Sequence, residues 1–293
     1  MKRLFLLLIF FSGICLFPFY TWAKLKIVAT IFPFYDFARQ IVEKRGETIL
    51  IVKPGVDLHH FEPKPSDILA LKGADFFVFG GTWVEPWTEK IVRSVRSGPP
   101  ELIDLSEELE LKTTRVAVKD PHIWLDFSYV AKMIDKMAKS FAKRDKENSD
   151  FYLRNGEAYK EKIRALDQKY KESLASCKIK TIVHAGHYSF GYLAERYNLN
   201  YIAAYPQGME SEPKASQLKN MKEVIKRTGA KYIFYEELVN PKVASIISRE
   251  LKLGMLKLNP GGNVPKKRFD AGITFLEIME ENLESLNRGL ECK

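Results

Sequence analysis

The sequence predicts an α/β protein: two (β/α) lobes with parallel sheets, joined by one long rigid helix. Three observations predict it. Short apolar runs alternate with amphipathic stretches in the first half, and the same rhythm returns in the second. Between the halves lies a proline-free stretch with a single glycine and a clear helical period.

The N-terminus reads as an address. Lys2 and Arg3 precede an almost wholly apolar run from Leu4 to Phe19, and Thr21-Trp22-Ala23 places small residues where a signal peptidase reads. A membrane anchor is the alternative, because the run nearly reaches the length of a spanning helix. The strand-like segment Lys24 to Ile31 follows directly, which favours a signal peptide at 1–23 cleaved after Ala23. Cys15 suggests lipidation, but Ile14 before it is too large for a lipoprotein cleavage site. The expected product is a free exported, periplasmic protein.

The first lobe is expected over 24–147. Strands are predicted at Leu25–Ala29, Ile49–Val52, Phe76–Phe79 and Leu102–Leu105. Helices are predicted from Phe37 to Lys44, from a Ser66 cap through Leu71 to a stop at Gly73, and from Glu85 to Ser97. In the linking helix, 148–175, Tyr152, Asn155, Tyr159, Ile163, Leu166, Tyr170 and Leu174 recur every three or four residues. A helix of that length spans about 40 Å. Such a strut suggests two lobes held at nearly fixed separation with a cleft between them. The second lobe, 176–293, has strand candidates at Thr181–Val183, Tyr201–Ala204, Tyr232–Tyr235 and Met255–Leu258. Helices around Phe190 to Arg196, Lys214 to Thr228, Pro241 to Leu251 and Phe269 to Leu290 separate or follow them.

The formal net charge of +9 is spread along the chain, with Lys alternating with Glu in helical stretches. No basic cluster is interleaved with stacking aromatics, so nucleic acid is not an expected partner. A monomer is the expected state, although nothing in the charge pattern decides it. A positive protein gains no long-range attraction for cations, so any metal binding must come from local ligands. Beyond the leader two cysteines remain, Cys177 and Cys292. They form either a disulfide tying down the C-terminal end or two separate thiols; the sequence leaves both open.

Only five histidines occur: His59, His60, His122, His184 and His187. A lone histidine is usually surface or satisfied core. Here each falls just after a predicted strand, or in a loop where two α/β lobes present residues to a shared cleft. Three imidazoles from separate segments make a reasonable chelating set for Zn²⁺.

Asp57-Leu58-His59-His60-Phe61-Glu62-Pro63 with Lys64-Pro65-Ser66-Asp67 resembles the first metal-ligand motif of the solute-binding proteins of zinc and manganese ABC importers. Asp120-Pro121-His122-Ile123-Trp124-Leu125-Asp126 is similar to the second, and His187-Tyr188-Ser189-Phe190-Gly191-Tyr192-Leu193 to the third. Gly81 to Trp87 and Phe234-Tyr235-Glu236 also match family positions, and the resemblance spans essentially the whole chain beyond the leader. It implies two lobes on a rigid helix and a metal held between them by His59, His122 and His187. It also implies delivery to the membrane permease of an ABC importer, with no enzymatic activity.

The departures matter too. Where family members usually offer an aspartate as fourth ligand, this chain reads Leu258-Asn259-Pro260-Gly261, leaving Asn259, Glu236 or water for that position. The histidine-rich insertion of many zinc members is missing; Lys112 to Lys119 is short and has no histidine. Three imidazoles without an obvious anionic oxygen favour Zn²⁺ over Mn²⁺, though copper and nickel also suit imidazole. His60 adjoins His59 and points away from it in an extended segment, and His184 precedes His187 by three; each reads as polar surface before it reads as a partner of the site. A zinc hydrolase with Glu62 as base is one rival, weakened by the absence of a His-Glu-x-x-His helix. A binder of haem or chelated metal on the same architecture is the other.

Overall fold

Strand β1 (Leu25–Ala29) is buried at every position but Lys26, as a strand covered on both faces must be. It pairs in parallel with β2 (Gly46–Leu50) on one side and β3 (Phe76–Phe79) on the other, and β4 (Glu101–Asp104) completes the order β2-β1-β3-β4. Crossovers run through α1 (Phe32–Val42), α2 (Pro65–Ala70) and α3 (Thr88–Ser94). Two helices follow, α4 (Phe127–Arg144) and α5 (Ser149–Ala175). The second sheet, also parallel, holds β5 (Thr181–His187), β6 (Asn200–Tyr205), β7 (Tyr232–Tyr235) and β8 (Gly254–Lys257) in the order β6-β5-β7-β8. Its helices are α6 (Gly191–Arg196), α7 (Ala215–Thr228) and α8 (Lys242–Leu251), followed by α9 (Lys266–Asp270) and α10 (Phe275–Gly289). This computed structural model describes residues 24–58, 61–95, 98–113, 119–205, 213–238 and 240–293. Residues 1–23, where a leader cleaved after Ala23 is expected, lie outside the described residues, as do Ser97 and positions 114–118 of the short Lys112–Lys119 stretch.

In each sheet the chain moves first to one side of the opening strand and then to the other. The crevices beyond the C-terminal ends of β1 and β3, and of β5 and β7, are where such sheets present ligand-binding side chains.

The predicted strands and the linking helix form where expected, and the differences have local causes. Helix α1 starts five residues early, at Phe32, because Pro33 suits a helix start; it gives way at Glu43 to a 3₁₀ turn through Arg45. Ser66 is not the cap of α2: Pro65 opens the helix, and Asp67 accepts the Lys64 N–H at 2.8 Å. Strand β2 ends at Leu50, although Ile51 and Val52 still donate to Ala29 and Thr30. The predicted helix over 269–290 is two helices. Gly272 breaks it at φ +80°, and Thr274 caps α10 in a reciprocal pair with Glu277. Strand β5 runs four residues further than predicted, so His184 and His187 lie within it rather than after it.

Helix α5 is the strut. It buries Tyr152, Tyr159, Ile163, Leu166, Tyr170 and Leu174, side chains worth roughly 1.5–3 kcal/mol each when fully withdrawn from water. Gly156 lets α4 approach: a Cβ there would sit 2.6 Å from that of Ala138. Asn155 donates to the Ile41 carbonyl in α1 at 3.0 Å, and the Tyr170 hydroxyl donates to the Met279 carbonyl in α10 at 2.5 Å. One hydrophobic core runs from Leu25 and Phe37 through these residues to Phe275 and Leu286. The two lobes are therefore halves of one packed body. Cys177 and Cys292 form a disulfide, which fastens the C-terminal end beside the end of α5.

Candidate metal centre

The second motif is built around Asp120. This buried aspartate accepts the His122 backbone N–H at 3.1 Å and faces the His122 Nδ1 at 2.7 Å. Beyond His122 the chain turns through a 3₁₀ segment, Ile123–Leu125, into Asp126, whose carboxylate accepts the Ser128 N–H and so caps α4. The Trp124 ring lies edge-on to the imidazole at 5.3 Å and donates its own N–H to the Pro260 carbonyl at 2.7 Å. His122 is therefore held from behind by a carboxylate and from the side by an indole.

The third motif is built in the same way. His187 ends β5, and Glu236 follows β7, the strand beside it, so the pair sits at the switch point of the second sheet. Glu236 Oε1 accepts both the backbone N–H and the Nδ1 of His187, each at 2.8 Å. Gly186 is required for this approach, since a Cβ there would fall 1.9 Å from Glu236 Oε1.

These two arrangements point at each other. His122 Nε2 and His187 Nε2 are 3.0 Å apart. Each ring turns its Nδ1 to a carboxylate, which directs its Nε2 toward the other ring. Two bare nitrogen lone pairs at this distance repel, so a proton or a cation must lie between them. Two imidazole nitrogens on one tetrahedral zinc, at bond lengths of about 2.0–2.1 Å, stand roughly 3.3–3.4 Å apart. A few tenths of an ångström of ring movement converts the observed pair into two corners of such a site.

The electrostatics agree. Burial, reinforced by the positive charge of His187, lowers the proton affinity of His122 well below the usual histidine value. Burial also opposes protonation of His187, but the charge and hydrogen bond of Glu236 outweigh it and raise its pKa, with Asp57 and Asp120 adding to the effect. Glu236 itself, although burial pushes it up, is drawn down to about 2 by His187. With the proton affinity of His187 raised and that of His122 lowered, His187 is the ring of the pair that more readily carries a proton between the two nitrogens.

His59 and His60 lie outside the described residues. The first-motif loop is seen through its flanks, and these converge on the same place. The charge of Asp57 acts on His187. A Cβ at Gly262 would meet Leu58 at 2.5 Å and Trp124 at 3.0 Å. Asn263 of the second lobe donates to the carbonyls of Lys53 and Val56, at 3.0 and 2.6 Å, so the loop ahead of His59 is pinned by the opposite lobe. Among the described residues no three histidine, cysteine or acidic side chains form a metal-holding group; of the three expected ligands, His122 and His187 are described and lie side by side.

The candidates for the fourth position change roles. Asn259 is a turn residue: its Oδ1 accepts the Gly261 N–H at 2.8 Å and its Nδ2 donates to Glu237 at 3.1 Å. Glu236 stands behind His187, on the side away from the paired nitrogens. Asp120 was not singled out from the sequence, although an aspartate two residues ahead of a histidine is the spacing that lets one carboxylate hold both backbone and ring. His184 is fully buried, not polar surface.

Two parallel-sheet lobes on one strut helix, with carboxylate-backed imidazoles converging from the segment before α4 and from the end of β5, define a solute-binding protein for a metal ion. A family profile described as the periplasmic A component of a zinc-uptake complex, ZnuA, matches residues 27–289, and the chain belongs to that family. The high-affinity zinc uptake system protein ZnuA of Bacillus subtilis is 28% identical over 284 residues, covering 92% of this chain and 89% of its own. The zinc-binding protein AdcA of Streptococcus pyogenes is 28% identical over 286 residues, covering 90% of this chain but 55% of AdcA, so this chain spans about half of that relative. Among solved structures, the metal-dependent lipoprotein YcdH of Bacillus subtilis superposes with a TM-score of 0.81 at 30% identity, covering 91% of this chain and 99% of its own. The Zn(II)-bound ZnuA-like domain of Streptococcus pneumoniae AdcA gives 0.81 at 28% identity, covering 92% and 100%.

Proposed function

We propose that this chain is exported, loses residues 1–23 after Ala23, captures Zn²⁺ as a monomer through His59, His122 and His187, and delivers it to the permease of an ABC importer. The observation that carries the reading is the facing pair of Nε2 atoms at 3.0 Å, each backed by a buried carboxylate. Zinc suits imidazole better than manganese does, and the anionic charge stands one bond further out, on Asp120 and Glu236. Those two carboxylates offset the charge of the dication, the task an anionic fourth ligand performs elsewhere. Water completes the shell, because Asn259 and Glu236 are both engaged away from it. Membership of a zinc-uptake family favours capture and delivery over a hydrolytic reaction. The test is competition titration with a chromogenic chelator. His59→Ala, His122→Ala and His187→Ala each weaken zinc binding by orders of magnitude, while His60→Ala has little effect. Equal damage from His60→Ala and His59→Ala would move the first ligand to the neighbouring residue.

A further inference from the structure

Three residues before His187, on the same strand, His184 lies in the core with no exposed surface. Side chains three apart on a regular strand face opposite ways. Here the pairing of β5 with β6 slips between the two histidines: His184 stands opposite Ala203 and His187 opposite Tyr205, so β5 carries one extra residue. That bulge turns both imidazoles toward one carboxylate. His184 Nε2 is 3.7 Å from Glu236 Oε1, the atom that accepts both His187 donors. Gly186 sits inside the bulge, and a Cβ on it would meet His184 Cε1 at 2.5 Å as well as Glu236.

The proton inventory selects one form of the His184 ring. Its Nδ1 is 3.0 Å from the Tyr201 hydroxyl, which accepts the Ser189 N–H at 3.1 Å and stands 3.0 Å from the His187 carbonyl. Tyr201 has one proton to give. If it gives it to the carbonyl, His184 must donate through Nδ1, and its bare Nε2 lone pair then faces the buried carboxylate. If Tyr201 donates to Nδ1, His184 carries its proton on Nε2 and presents an N–H dipole to Glu236. The second arrangement is attractive where the first is repulsive, and the dry surroundings enlarge the difference. His184 Nε2 has no other partner among the described residues. At 3.7 Å the contact is longer than a hydrogen bond, and a shift of roughly half an ångström closes it.

We propose that His184, protonated on Nε2, is a positioning residue for the metal centre: it braces Glu236, which in turn orients the zinc-facing nitrogen of His187. The proposal rests on the reading of His187 as a ligand. It describes a four-member chain from the Tyr201 hydroxyl through His184 and Glu236 to His187, ending at the metal.

Three substitutions separate a donor from a space-filler. In His184→Gln the amide nitrogen reaches near the Nε2 position and keeps a donor toward Glu236. In His184→Asn the amide replaces only the Nδ1 side, and in His184→Phe only the ring volume remains. Zinc affinity is expected to fall by about 10-fold in the Asn and Phe variants, the lower end for lost outer-shell partners, and to stay close to wild type in the Gln variant. The nitrogen-15 spectrum of the zinc-loaded wild type is expected to show the His184 proton on Nε2, and this reading does not depend on any variant folding. Equal zinc affinity in all three variants, equal loss in Gln and Asn, or a proton found on Nδ1 would each overturn the proposal. His187→Ala is the control: if it binds zinc like wild type, the ligand assignment has failed, whereas its loss alongside unaffected His184 variants condemns the brace alone.

Discussion

Replacing Glu236 with glutamine removes one charge from behind His187 and leaves the shape almost unchanged. The drop of the Glu236 pKa from 4.5 to about 2 corresponds to on the order of 3 kcal/mol of favourable interaction with His187 in the ion-free protein. A depressed carboxylate contributes stability that is present above its unfolded value and lost as the pH falls through about 2. The raised His187 contributes stability that is full below its ordinary value of 6.5 and lost as the pH rises through its folded value. Both conditions hold between about pH 4.5 and 6.5, so the ion-free Glu236→Gln protein is most destabilised there and less so on either side. Zinc binding responds differently. Above the His187 pKa the variant loses about 10- to 100-fold in affinity, the usual effect of losing a carboxylate behind a ligating imidazole. Below it, wild type must strip a stabilised proton from His187, and its log K falls by about one for each unit of pH. The variant holds that proton less firmly, so its decline begins at lower pH and the two curves converge toward acid. Titration calorimetry in two buffers of different ionisation enthalpy, from pH 5.5 to 8, measures affinity and protons released together. Curves that stay parallel over this range, or a wild-type affinity independent of pH, would refute the idea that a proton on His187 holds the place of the metal.

Two further outcomes follow from the loop after β8. Asn259→Asp leaves zinc and manganese affinities unchanged, because the side chain serves the turn; it destabilises the fold by about 1–3 kcal/mol by setting a second carboxylate against Glu237, read by chemical denaturation. Asn263→Ala removes both donors to the Lys53 and Val56 carbonyls, and is expected to cost about 2 kcal/mol and to speed zinc release in stopped-flow chelator competition. An unchanged release rate would mean that the first-motif loop holds its shape unaided.

The sequence displays the candidate ligands more plainly than the carboxylates behind them. His122 and His187 are rare residues in recognisable surroundings, whereas Asp120 and Glu236 are two acids among many. The role of Glu236 appears only when folding puts β7 beside β5, whereas Asp120 holds a histidine two residues on in its own segment. His184, Gly186 and His187 have the composition of a loop, yet they continue β5 across a bulge in its pairing with β6. Helix α4 went unnamed, although Val130, Met133, Ile134, Met137 and Phe141 mark its buried face at helical spacing. The linking helix is legible because its tyrosines and leucines follow one stripe from Tyr152 to Leu174, about six turns. Asn259 was misleading: a polar residue at a family ligand position is here consumed by a turn, a choice set by Gly261 and by Glu237 across the loop.

The core that passes unbroken through α5 has a consequence for traffic at the membrane. A carrier whose halves cannot swing presents nearly the same outline whether loaded or empty, so an importer has little besides the few residues around the cleft mouth by which to tell the two apart. Empty carriers then occupy the same docking places as full ones. Uptake is then governed by the fraction of carriers that hold an ion, and at a given free ion concentration making more of the protein adds nothing once its copies outnumber the docking places.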